Sequence, residues 1–136
     1  MATFGIPILF ALFVWWFSTG IVLYVVGLPR WTLRWTVGGA GLLLAAALWT
    51  LVATRNDLGA FGTYAAFTSA IVAWGFVEVL FLTGLVTGTR RSACPAGAAG
   101  WQRVVFAIEA ILYHELLLLA VGGLIGLATW GGDNRM

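Results

Sequence analysis

Lysine is absent from the 136 residues, and charged residues of either sign make up only 9% of them. Seven arginines stand against Asp57, Glu78, Glu109, Glu115 and Asp133, for a formal charge of +2. So small an excess supplies no clustered basic face, which argues against nucleic acid as a partner. The single cysteine, Cys94, excludes an intrachain disulfide and leaves a cysteine-rich metal site without ligands. Polar stretches long enough to form a soluble domain are missing as well. What fills the chain is apolar: 62% of residues are hydrophobic and the mean hydropathy is +1.01, outside the balance of a water-soluble domain. The solvent this sequence expects is lipid.

A helix needs about 20 apolar residues, at about 1.5 Å each, to cross about 30 Å of hydrocarbon. Four segments meet that requirement, near residues 4–26, 36–53, 61–86 and 104–130. The expected fold is all-α, an integral membrane four-helix bundle forming a single transmembrane domain. Pro7 falls in the opening turn of the first span, where its missing N–H costs little, and Gly27, Leu28, Pro29 and Arg30 stop that span. No basic segment precedes this span and no small-residue cleavage site closes it, so it reads as a retained span and not a signal peptide. Thr54, Arg55, Asn56 and Asp57 form a compact polar turn after the second span, and a Gly, Pro and Ala linker with Arg90, Arg91 and Cys94 separates the last two.

Basic residues in short loops are held in the cytoplasm during insertion. The first and third loops carry Arg30, Arg34, Arg90, Arg91 and Arg103, against Arg55 and Arg135 on the other side. Loops one and three are therefore expected in the cytoplasm, with Cys94 in a reducing compartment. Topology and headgroup contact account for these arginines; an acidic partner is the alternative. Small residues four apart, Gly84 with Gly88, Gly122 with Gly126 and Gly41 with Ala45, suit close helix packing. Trp31, Trp35, Trp101 and Trp130 fall near interfaces, whereas Trp15, Trp16 and Trp74 lie inside spans. There they are expected to pack between helices, or to line a pigment or lipid groove.

Chemistry is expected at ionisable groups within the spans, since each costs about 2.5–3.5 kcal/mol at a helix centre. These groups are Glu78, Glu109, His114 and Glu115. Counted from the cytoplasmic end, they lie about 13, 9, 16 and 18 Å deep, in one layer. Their facing differs: with Glu109 at zero, Tyr113 sits at about 40°, His114 at about 140° and Glu115 at about 240°. A bundle-core dimetal site wants Glu-x-x-His on one face, but Glu109 and His114 are five apart, which argues against such a site built by this chain alone. A single metal ligand from His114 remains open. Ala110, one turn before His114, would leave space for a flat macrocycle whose magnesium takes the imidazole as axial ligand; a histidine paired to a neighbouring glutamate is the ordinary alternative.

Several segments together resemble a known family. They are FALFVWWFSTGIVLYVVGLPRWT from Phe10 to Thr32, FVEVLFLTGLVTG from Phe76 to Gly88, CPAGAAGWQR from Cys94 to Arg103, YHELLLL from Tyr113 and TWGGDN ending at Asn134. They resemble the PuhE family, the group called photosynthetic complex assembly protein 2, found in bacteria that make bacteriochlorophyll. The resemblance implies a multi-pass protein of the bacterial inner membrane, working beside the reaction centre, its core antenna or bacteriochlorophyll formation. It implies bacteriochlorophyll or a tetrapyrrole precursor as the group His114 and Ala110 would hold, and it supplies no catalytic residues. Chains of that family continue past the T-W-G-G turn, so this one is expected to be a short variant or an amino-terminal half. Two classes of function follow. The chain is a non-catalytic accessory or assembly subunit, or it is an enzyme or enzyme partner in bacteriochlorophyll synthesis with His114 as metal ligand and a glutamate as proton donor. A proton-coupled exporter centred on Glu78 is a more distant third.

Overall fold

The structure, a computed structural model, describes residues 2–134, with side chains from Gly5 onward; Arg135, Met136 and the side chain of Phe4 lie outside the described residues. Four helices follow in order: α1 (Ala2–Val26), α2 (Leu33–Thr54), α3 (Ala60–Leu82) and α4 (Trp101–Thr129), with no strand among the described residues. All four are long and apolar enough to cross a membrane. The chain is a multi-pass membrane protein built as an all-α bundle.

Local chemistry sets the helix ends. Pro29 cannot continue α1; its carbonyl instead accepts from the Thr32 N–H at 2.9 Å and the Thr32 hydroxyl at 2.8 Å, closing a 3₁₀ turn into α2. In the α2–α3 turn, Asp57 Oδ1 accepts from the Gly59 N–H at 2.8 Å, the self-bonding that favours Asp in turns. Helix α3 stops at Leu82, short of Val86 where hydropathy alone would end it. Gly84 there takes φ +77°, its N–H reaches Phe81 O at 2.9 Å, and Leu85 N–H reaches Leu80 O at 3.0 Å. This Schellman pattern closes the helix despite the apolar Leu85 and Val86 beyond it.

Helix α3 is central: it packs on α1, α2 and α4, while α4 also crosses α2. The reason lies in its buried row of Gly62, Ala66, Ser69, Ala73 and Val77, spaced at three or four residues so that small side chains share a face. In lipid, where the hydrophobic effect no longer drives helices together, close backbone approach and dispersion do so, and small residues permit it. Ala73, Val77 and Val121 form the buried centre, wrapped by Leu44, Phe76, Leu117, Leu118 and Ile125.

This row replaces two of the three pairs that spacing suggested, while Gly41, of the third, lies on the α3 side, where a Cβ would meet the Phe76 ring at 4.0 Å. Gly84 is a helix terminator, Gly88 belongs to the linker, and a Cβ on Gly122 or Gly126 would meet nothing within 4 Å. Trp16 is 73% exposed and so does not pack between helices; Trp15 is also exposed, though it reaches Trp74 with ring centroids 6.2 Å apart. The hydrocarbon solvates an indole face as readily as a protein core would, so a mid-span tryptophan need not be buried. The carboxy-terminal segment clamps α4 to the α2–α3 turn through Asn134 N–H donating to Arg55 O at 2.9 Å.

Candidate functional site at the α3–α4 junction

After Gly84 the linker turns back toward α4 and lies along it from Thr87 to Arg90. Thr87 C=O accepts from the His114 N–H at 2.9 Å, and Glu109 C=O accepts from the Arg90 N–H at 3.1 Å and the Thr89 hydroxyl at 3.3 Å. Gly88 permits this approach: any Cβ there would collide with the carbonyl groups of Glu109 and Ala110. Non-helical backbone at membrane depth is tolerated only where protein satisfies it, and here a neighbouring helix does so.

The same segment brings a cation to a carboxylate. Arg90 lies 3.7 Å from the Glu109 carboxylate and 4.2 Å above the centroid of the Phe106 ring, and donates to Ala93 O at 3.3 Å. A flat, weakly hydrated guanidinium suits such a half-buried place better than an ammonium would.

Deeper in the bundle stands a second pair. His114, only 8% exposed, directs Nε2 toward Glu78 Oε1 at 3.9 Å, and its ring lies against Phe81 with centroids 4.1 Å apart. The contact is close enough for charge interaction and longer than a hydrogen bond. His114 Nδ1 is buried without a partner, as is Arg90 Nε. Two buried nitrogens without partners, on either side of the same linker segment, mark this junction as the most polar part of the bundle interior.

The four intramembrane ionisable groups thus divide. Glu78 and His114 come together; Glu109 joins Arg90 instead; Glu115 is exposed on the outer surface, and Tyr113 is 47% exposed. The division follows from helix geometry, since His114 and Glu115 diverge from Glu109 by about 140° and 240°. Arg90, Phe81 and the Thr87 carbonyl are the members that spacing did not reveal. The one local signal was Gly88, a glycine between two threonines at the start of a polar linker.

A tetrapyrrole bound through His114 needs an open axial direction at one nitrogen and a slab of free space beside Ala110. In this arrangement Nε2 faces Glu78, Nδ1 is enclosed, Phe81 covers the ring, and Gly88 rests on the Ala110 carbonyl. The residues as placed do not fit a macrocycle. No group of three or more His, Cys, Asp or Glu side chains capable of holding a metal occurs among the described residues.

Fold and site together define a polytopic membrane protein with paired ionisable groups held at the junction of its last two helices. The chain belongs to the family described as "Protein of unknown function (DUF3623)", which matches residues 1–136. It is 33% identical over 129 residues to a Rhodobacter capsulatus protein described as "Uncharacterized 30.4 kDa protein in puhA 5'region", covering 91% of this chain and 47% of the relative. The chain therefore spans about half the length of that relative. No solved structure matches it.

Proposed function

We propose that this chain is a membrane-embedded accessory subunit that supports assembly of bacterial photosynthetic complexes, the reaction centre and its core antenna. The observation that carries the reading is the relative in the puhA 5' region, which belongs to a photosynthesis gene cluster. The exposed helix surface agrees with such a role. Most of α1, much of α4 and one side of α2 present large apolar side chains outward, which is surface for lipid and for the helices of partner membrane proteins. The arginine distribution supports placing loops one and three on the cytoplasmic side of the inner or intracytoplasmic membrane.

Deletion of the gene in a bacteriochlorophyll-forming host tests the reading. The near-infrared absorption of isolated membranes should show reaction-centre and core-antenna bands reduced several-fold, with bacteriochlorophyll synthesis continuing. Normal bands in the deletion strain would refute it. Loss of all bacteriochlorophyll, with accumulation of a precursor, would replace it with a role in pigment synthesis.

A further inference from the structure

The geometry points to a binding site for one anionic phospholipid between α1 and α2, with an acyl chain lying on α3 and the phosphate held by Arg30 in the loop that joins α1 to α2. Helices α1 and α2 both pack on α3, with little contact between them. That leaves a cleft of about 350 Å³. Val22 and Val79 are buried in its floor, whereas Trp35 and Leu43 on its rim are 68% and 61% exposed. Small residues keep it open: a Cβ on Gly39 would meet nothing within 4 Å, and Gly75 lets α3 approach the Val22 side chain. The lining offers two hydroxyls, Ser18 and Thr36, and Ser18 already donates its own to Trp15 O at 2.9 Å. Such a space suits an apolar guest and not water, which needs two to four polar partners.

Its length matches a chain entering from one leaflet. The cleft follows α2 from Trp35 to Leu43 and α3 from Ile71 to Val79, about 12 Å of helix at about 1.5 Å per residue. Half of the bilayer core, the share of a single leaflet, is about 15 Å deep.

At the loop end the cleft runs into a second cavity of about 150 Å³, with which it shares Val25 and Thr36. Arg30, Thr32 and Thr83 line this one. The Thr32 and Thr83 hydroxyls already donate to the Pro29 and Val79 carbonyls, at 2.8 and 2.6 Å, so neither has a hydrogen left for a guest. Arg30 is the charged donor there. It meets no carboxylate among the described residues, since Glu109 takes Arg90 and Glu78 faces His114. Arg34 adds a second cation without a carboxylate partner at the rim, 5.3 Å from the centroid of the Trp35 ring. A phosphate offers a guanidinium two oxygens in the geometry its fork matches. An apolar slot that ends at arginines with no acidic partner therefore selects an amphiphile with an anionic head over a neutral one.

Native mass spectrometry of the chain in mild detergent tests the site, with anionic phosphatidylglycerol and zwitterionic phosphatidylethanolamine of identical acyl chains in competition. The wild type should retain one phosphatidylglycerol, preferred about fivefold or more, the scale of one arginine facing an anionic headgroup. Arg30→Gln should lower that preference by about the same factor, while Arg103→Gln, at the exposed start of α4, should leave it unchanged. Gly39→Leu fills the cleft on a helix that leucine favours over glycine, and should lose retention of either lipid. Gly122→Leu, on α4 where a Cβ also meets nothing within 4 Å, should keep it. Equal retention of the two lipids by the wild type, the behaviour of lipid that only surrounds the bundle, would overturn the proposal. So would wild-type binding in Gly39→Leu or an unchanged preference in Arg30→Gln. A lipid-free dimer that Gly39→Leu dissociates would overturn it too, and would give the cleft to a helix of a second copy.

Discussion

At the scale of single residues, two positions decide the junction. Gly88 is required by contact, because the linker passes too close to the Glu109 and Ala110 carbonyls to admit a methyl group. Gly88→Ala should therefore lift the Thr87–Arg90 segment off α4 and weaken the Arg90–Glu109 pair. The expected loss is about 1–3 kcal/mol, the usual scale of overpacking, read as a lower thermal midpoint in detergent. A Gly97→Ala control, where a Cβ meets nothing within 4 Å, should leave the midpoint unchanged. Glu78 matters as the polar group that faces His114, 3.9 Å away. Glu78→Leu leaves His114 facing a hydrocarbon side chain, whereas Glu78→Gln still offers an oxygen and an amide. Accumulation of photosynthetic complexes should fall in the leucine variant and be largely kept with glutamine; equal, normal levels in both would show that Glu78 has no part in assembly.

At the scale of elements, the four helices were legible because hydropathy is a direct measure of transfer into lipid, and each segment satisfies it independently of its neighbours. The end of α3 was less so. Leu85 and Val86 extend the apolar run, and the terminator is a backbone conformation at Gly84 that hydropathy does not register. Gly84→Ala should cost about 1 kcal/mol through the positive φ, with Gly84→Asn costing less, and thermal unfolding of the three proteins should rank them in that order. The pairing of Glu78 with His114 was within reach of depth arithmetic, since both fall in one layer. The pairing of Glu109 with Arg90 was not. Depth put Glu109 with the other carboxylates, and no periodicity reports that a loop folds back into the bundle. Trp15 and Trp74 do meet between α1 and α3, whereas Trp16 misled for a physical reason: burial is the favoured state of an indole in water, and lipid removes that pressure.

At the scale of the whole molecule, the bundle is lopsided. Only α3 is surrounded, and α1 rests chiefly on it, so a large part of the surface is free for lipid or partners while the polar junction sits at one end. Which compartment that end faces is an expectation that the arginines give. Arg90, Arg91 and Arg103 belong to the same loop as Cys94, and Arg30 and Arg34 to the loop beside it. Cys94 is exposed and is the chain's one cysteine, so a membrane-impermeant maleimide reads the orientation directly. Added to intact spheroplasts, which expose the periplasmic face, the reagent should leave Cys94 unmodified; after permeabilisation it should label it fully. Leu58, 72% exposed in the turn on the opposite side, supplies the reciprocal probe, because Leu58→Cys in a Cys94→Ala background should be labelled without permeabilisation. Labelling of Cys94 in intact spheroplasts would invert the bundle and place the Glu78–His114 junction toward the periplasm, with its internal geometry unchanged.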